Sequence, residues 1–253
     1  MIVTFLGTGT SQGVPVIGCS CEVCTSLDYR DKRLRSSIHL EIDGQNLAVD
    51  AGPDFRQQML RENINQLDAV LLTHAHRDHT AGLDDVRAYN FMQHMDMPVY
   101  GTTETLRQIQ SDFAYIFGPD NYPGLPRLAL HTITETPFTI NNITITPLPV
   151  LHLKLPVLGF RIGDFSYITD ANFIPDTTYK ILKGTKILVI NALQREQHIS
   201  HFNLQEAIAI VQKINPEKAY FTHISHKLGL HATVSKELPE NISLAFDGQR
   251  LQL

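Results

Sequence analysis

The sequence predicts an α/β protein, and three observations carry that prediction. Short apolar or alternating runs of strand length recur along the whole chain. Segments with helical spacing lie between them, as in residues 204–214, where Leu204, Ala207, Ile208 and Val211 share one face. Several of the runs end on a histidine or an aspartate, which is how a rigid sheet presents a site from its strand ends.

At 253 residues the chain can bury a substantial core, and 43% hydrophobic with 19% charged residues is ordinary globular composition. No apolar run is long enough to span a bilayer, and a formal net charge of −5 argues against a broad nucleic-acid surface. Residues 1–6 read as a first strand and lack the basic start and cleavage site of a signal peptide, so a cytoplasmic location is expected. The three cysteines all lie between residues 19 and 24, too few for a disulfide framework and suited to a reducing compartment.

In chain order, residues 7–13 form a glycine-rich turn without the Gly-Lys-Ser/Thr of a nucleotide loop, so its glycines are read as freedom for tight turns beside a site. Residues 25–35 are polar and predict a surface loop, with Arg33 and Arg35 solvated. Residues 37–42 and 45–50 alternate around Asp43-Gly44 and predict a hairpin ending on Asp50, placed where its carboxylate can orient a metal-bound histidine. A helix with Phe55, Met59 and Leu60 on one side is expected over 53–62, a strand over 67–73, and a helix over 82–92. A strand at 97–101 and a helix at 103–113 precede a loop at 118–126 that is expected to border the site. Residues 138–140 and 143–147 make a second hairpin, followed by an extended stretch to His152. Strands at 157–162 and 165–169 lead to Asp170, one at 187–190 to Asn191, and one at 218–222 to His223. His201 lies just before the 204–214 helix, which Asn203 or Ser200 caps, and residues 244–253 are expected to close the chain as a strand. His39, His94, His131, His198 and His231 receive no role, His198 being read as a surface residue.

The densest cluster is Thr73-His74-Ala75-His76-Arg77-Asp78-His79, on a strand-to-helix turn. Histidine with aspartate and no cysteine favours a divalent ion that activates water. The second cluster, Cys19-Ser20-Cys21-Glu22-Val23-Cys24, suits a tetrahedral zinc that still needs a fourth ligand.

The motif His74-x-His76-x-Asp78-His79, continued by His152, Asp170 and His223, resembles the signature of the metallo-β-lactamase superfamily. Further stretches are similar to its cyclic phosphodiesterase branch: Gly7-Thr8-Gly9, Gln12-Gly13-Val14-Pro15, the cysteine cluster, Asp50-Ala51-Gly52, Thr222-His223-Ile224-Ser225-His226 and Phe246-Asp247-Gly248. The resemblance spans essentially the whole chain. It implies a four-layer αββα sandwich, a single hydrolase domain over residues 1–253 with a small zinc-binding loop at 18–24 packed onto it. It also implies two divalent ions, manganese or zinc, at the active site: His74, His76 and His152 on the first, Asp78, His79 and His223 on the second, and Asp170 bridging. A structural zinc is implied between Cys19, Cys21, Cys24 and His226. Asp78 and His201 are the catalytic candidates, His201 as the acid for the leaving group.

The implied function is hydrolysis of a small phosphate ester, cyclic forms included, by water activated between the ions. The alternatives are hydrolysis of a carboxylic ester, lactone or thioester on the same ions, and a metal-holding sensor without turnover. The expected partner is the small-molecule substrate, with no membrane and no nucleic acid; a homodimer stays open.

Overall fold

The computed structural model describes residues 1–118 and 122–253, and they fall into two compact units. The first unit comprises residues 1–6, 37–134 and 250–253, the second residues 7–36 and 135–249. Each is organised on one seven-stranded sheet. No helix of the described residues is long and apolar enough to cross a membrane.

The strands in chain order are β1 (Ile2–Gly7), β2 (Ser37–Ile42), β3 (Gln45–Val49), β4 (Ala69–Leu71), β5 (Met97–Gly101), β6 (Leu128–Thr132), β7 (Phe138–Ile140), β8 (Ile143–His152), β9 (Leu155–Ile162), β10 (Phe165–Ile168), β11 (Ile187–Asn191), β12 (Lys218–Thr222), β13 (Ile242–Leu244) and β14 (Arg250–Gln252). The first sheet runs β14-β1-β2-β3-β4-β5-β6, and β3 to β6 are mutually parallel. The second runs β13-β12-β11-β10-β9-β8-β7, with β10 to β13 parallel. Parallel neighbours bring their carboxyl ends to one edge, where ligand sites of open α/β sheets form. Asp50 follows β3, Asp170 follows β10 and His223 follows β12, and all three hold left-handed backbone, with φ of 66°, 54° and 54°. Such strain in non-glycine residues gathers at functional sites.

Both cores are built from alternate strand residues and one stripe of each helix. In the first unit Leu6, Ala48, Val70 and Val99 pack under Phe55, Met59 and Leu106. In the second Ile168, Leu188, Ile190 and Phe221 pack under Ala207, Ile210 and Val211. The helix Leu204–Ile214 begins with the full capping box of Asn203 and Glu206.

Several expectations need correction. On the helix Phe55–Glu62 the buried face is Phe55, Gln58 and Met59, whereas Leu60, about 100° round from Met59, is exposed. The segment after Gly82 is a 3₁₀ turn, Leu83–Val86, before the helix Arg87–Gln93. β8 runs on as one strand through Pro147 and Pro149 to His152, because β7 pairs only with 143–145 and leaves both prolines on an edge that tolerates them. The closing strand is two strands, split at a turn in which the Asp247 carboxylate accepts from Thr8 N at 2.9 Å, Thr8 Oγ1 at 2.7 Å and Leu34 N at 2.8 Å. Of the loop expected at 118–126, residues 119–121 lie outside the described residues.

Arg33 is buried, not solvated. Its guanidinium donates to Thr8 Oγ1 at 2.8 Å, the Ala245 carbonyl at 2.6 Å and His231 Nδ1 at 3.2 Å. An accepting Nδ1 means a neutral ring, and burial with the Arg33 and Arg30 charges pushes His231 down to about 4, against the pull of Asp28 and Asp31. A depressed histidine contributes stability that is full above its unfolded value, near 6.5, and is lost as pH falls toward about 4. Chemical denaturation between pH 7 and 4 should therefore show up to about 3 kcal/mol of loss from this group. His231→Gln should flatten that part of the profile.

Candidate metal centre

The first unit assembles its donors on the turn after β4. His74 and His79 are buried, Asp78 is half-buried, and His76 is exposed at the start of the short helix Arg77–Thr80. Asp50, fully buried, organises them. Its carboxylate accepts from His79 Nδ1 at 2.7 Å, from Thr73 N at 2.9 Å and from Thr73 Oγ1 at 2.9 Å. With its proton given to Asp50, Thr73 Oγ1 accepts from His74 Nδ1 at 2.9 Å. Both imidazoles thus commit Nδ1 to the protein and keep Nε2 as the donor for an ion, the arrangement that orients and strengthens a histidine ligand. His79 Nε2 lies 3.2 Å from Asp78 Oδ2, a spacing suited to two donors of one ion. Burial pushes the Asp50 carboxyl above the ordinary range, opposed by His79 and Thr73.

Backbone geometry locks this turn onto the end of β3. Ala51 N donates to the His79 carbonyl at 2.7 Å and Gly82 N to the Ala51 carbonyl at 2.8 Å. A Cβ at Gly82 would lie 2.0 Å from the Gly52 carbonyl oxygen, so only glycine fits. Asp50→Asn keeps the size of the side chain but removes the charge facing His79. It should weaken divalent-metal affinity about 10- to 100-fold, read by competition with a chromophoric chelator.

In the second unit Asp170 is the hub. Its Oδ1 lies 2.9 Å from His223 Nδ1 and accepts from Thr169 Oγ1 at 2.6 Å, and its Oδ2 is 3.4 Å from His201 Nε2. The His201 and His223 rings stack at 4.9 Å, and His152 meets His201 edge-on at 4.5 Å. His152 Nδ1 donates to the Ser200 carbonyl at 2.7 Å. Donor atoms of His152, Asp170 and His201 lie within 4.8 Å of one another, close enough to share an ion or a proton. Burial pushes His201 down to about 4, with Asp170 pulling the other way. Asn191, at the end of β11, clamps the backbone after Asp170, donating to the Ala171 carbonyl and accepting from Ala171 N.

The same β12 end carries a separate set. Cys19, Cys21 and Cys24 place their sulfurs 3.3, 3.3 and 3.6 Å from His226 Nδ1. Tetrahedral zinc with ordinary Zn–S and Zn–N lengths separates S from N by about 3.6 Å, so the four donors fit that ion. The Cys24 backbone N–H, with His226 beside it, pulls the Cys21 thiol down to about 6, while burial pushes Cys24 up to about 11. Val14, Val23 and Cys24 pack together, which fixes the loop.

Within each unit the structure thus brings together the residues singled out from the sequence. Sequence reasoning missed Thr73, Asn191 and Ser200, whose work is done through neighbouring backbone and imidazoles. It also missed the Arg33 strut. Thr73 and Ser200 directly abut His74 and His201 in the sequence, and Asn191 ends an apolar run; Arg33 carries no such signal.

A family model described as the β-lactamase superfamily domain matches residues 45–224. An octanoyltransferase of Porphyromonas gingivalis is 40% identical over 246 residues, which is 96% of this chain and 50% of that protein. The chain spans about half the length of the curated relatives it matches first. The crystal structure of a diphosphatase from the PhnP family is 39% identical, covers 99% of this chain and 96% of its own, and superimposes with a TM-score of 0.93. Zinc-bound PqqB from Methylobacterium extorquens, 20% identical over the whole of both chains with a TM-score of 0.82, shares the fold.

Proposed function

Because the chain belongs to the β-lactamase superfamily, we propose that it is a metal-dependent phosphodiesterase hydrolysing a small phosphate ester, cyclic esters included. The observation that carries this reading is Asp170: a buried, left-handed carboxylate at a strand end with His152, His201 and His223 around it. The 39% identity to a diphosphatase supports reaction at phosphorus. In this reading His74, His76 and His152 would hold one divalent ion, Asp78, His79 and His223 would hold a second, and Asp170 would serve both. Such ions supply positive charge that acidifies a water and neutralises phosphoryl oxygens. Cys19, Cys21, Cys24 and His226 would hold a zinc with a structural role.

The chain's own residues do the rest. Asp50 and Thr73 fix the His79 and His74 rings, and Asn191 fixes the backbone at Asp170. His201 delivers a proton to the leaving oxygen, the negative charge of a bound phosphate favouring the protonated ring against burial. His201→Ala should therefore depress turnover much more for an alkyl leaving group than for p-nitrophenolate; equal losses on both remove the acid role.

A second reading, hydrolysis of a carboxylic ester, lactone or thioester, has one observation on its side, the octanoyltransferase name of a 40% identical relative. The test is to load the chain with Mn²⁺ or Zn²⁺ and assay bis(p-nitrophenyl) phosphate beside p-nitrophenyl octanoate and a lactone panel. Turnover of the diester alone is expected. Turnover confined to the acyl substrates selects the second reading, and none on any substrate with metal bound leaves a metal-holding sensor.

A further inference from the structure

We infer that the exposed apolar rim of Leu153, Phe173 and Ile199 is a subsite for an aromatic ring in the organic half of the substrate, an inference that rests on the phosphodiesterase reading of the neighbouring residues. The three side chains are 51%, 52% and 74% exposed. The backbone that carries them is nevertheless fixed. Asn172 ties two of the segments with one side chain, accepting from Leu153 N at 2.7 Å and donating to the Ile199 carbonyl at 3.0 Å. Phe173 is held by pairing with β8, its carbonyl accepting from Leu151 N at 3.0 Å while Asn172 N donates to the Leu151 carbonyl at 2.9 Å. Phe202 N completes the tie, donating to the Ala171 carbonyl at 2.8 Å.

Each rim residue is anchored next to the candidate chemistry. Leu153 follows His152 in left-handed backbone, Phe173 comes three residues after Asp170, and Ile199 two before His201. An apolar surface held in place but left in water contributes little to folding, and such surfaces mark ligand sites. A polyol moiety would cover these side chains without gain. A planar aromatic ring can stack on Phe173 and pack its edges against leucine and isoleucine, an interaction that tolerates different ring systems. Phe173 and Ile199 are therefore specificity-determining residues, and substrates bearing a base or other aromatic group are preferred over sugar or glycerol phosphates.

The probes are adenosine 5′-monophosphate and ribose 5-phosphate, which share the phosphate and the sugar and differ in the base. They are titrated calorimetrically into the metal-loaded chain. The nucleotide should bind about tenfold more tightly, equivalent to about 1.4 kcal/mol. Phe173→Ala should bring that ratio below about threefold while leaving ribose 5-phosphate affinity within about twofold. Ile199→Ser, at the more exposed position, should act in the same direction, and unchanged thermal melts show that both variants fold. Equal affinities for the two probes in the parent chain, or an unchanged ratio in both variants, overturns the inference. Hydrolysis of bis(p-nitrophenyl) phosphate by the same preparations reports separately on the underlying reading. A Phe173-dependent preference without diester turnover keeps the rim and removes the phosphodiesterase, and turnover without preference does the reverse.

Discussion

Asp170→Asn should lower turnover on bis(p-nitrophenyl) phosphate by on the order of a thousandfold, with little change in thermal stability. Asn is nearly the same size as Asp and tolerates the left-handed backbone that residue 170 adopts, so the end of β10 keeps its course. Thr169 and the stacked His201 and His223 rings still surround it. What disappears is the negative charge. A neutral amide offers a cation one weak oxygen donor, and it turns an N–H₂ toward imidazole nitrogens that now face a carboxylate. Metal content measured by mass spectrometry should fall together with turnover. A variant that keeps both full metal content and parental turnover contradicts the role assigned to Asp170.

The second large effect concerns stability. Cys24→Ser should lower the melting temperature by roughly 10–15 °C, and a strong zinc chelator should do the same to the parent chain, since a structural zinc contributes several kcal/mol to folding. Cys24 is buried against Val14 and Val23, and its sulfur lies 3.6 Å from His226 Nδ1. A serine hydroxyl there does not ionise near neutral pH, so the ligand is lost and a polar group is left in an apolar pocket. His226 is three residues beyond His223 on the same strand end, and Ser225 N and Ile224 N are bonded to the Leu193 and Thr8 carbonyls. Loosening one end of that segment loosens the other, so diester turnover should drop as well. A variant that melts like the parent shows that the four donors do not share an ion.

Much of this was legible in the sequence, for reasons particular to each residue. His74, His76, Asp78 and His79 declare themselves because six residues on one turn leave little room for an unrelated function. Asp50, Asp170 and His223 are visible as polar endings of apolar runs, and their positive φ values show why those endings matter. His226 is different: three cysteines imply a missing ligand, but only resemblance chose among twelve histidines. The buried Arg33 was not legible, because its partners Ala245 and His231 are some 200 residues away and an arginine in a polar run reads as solvated. The approach of Gly82 to Gly52, 30 residues apart, is likewise set by tertiary packing. The helix Asp176–Leu182 and strand β6 carry no clear local signal: two threonines and a tyrosine weaken the helical pattern of the first, and the second needs β5 beside it to be a strand at all. Leu60 is apolar yet exposed, because one residue along the helix from buried Met59 is about 100° round its axis.

The most direct test of the central claim is the metal stoichiometry of the purified chain, measured before and after reconstitution with Mn²⁺ or Zn²⁺ and compared with diester hydrolysis in the same samples. About three ions per chain are expected at full activity, one of them zinc retained through mild chelation, with turnover following the other two. Diester hydrolysis that persists when only the tightly held zinc remains would contradict the two-metal reading.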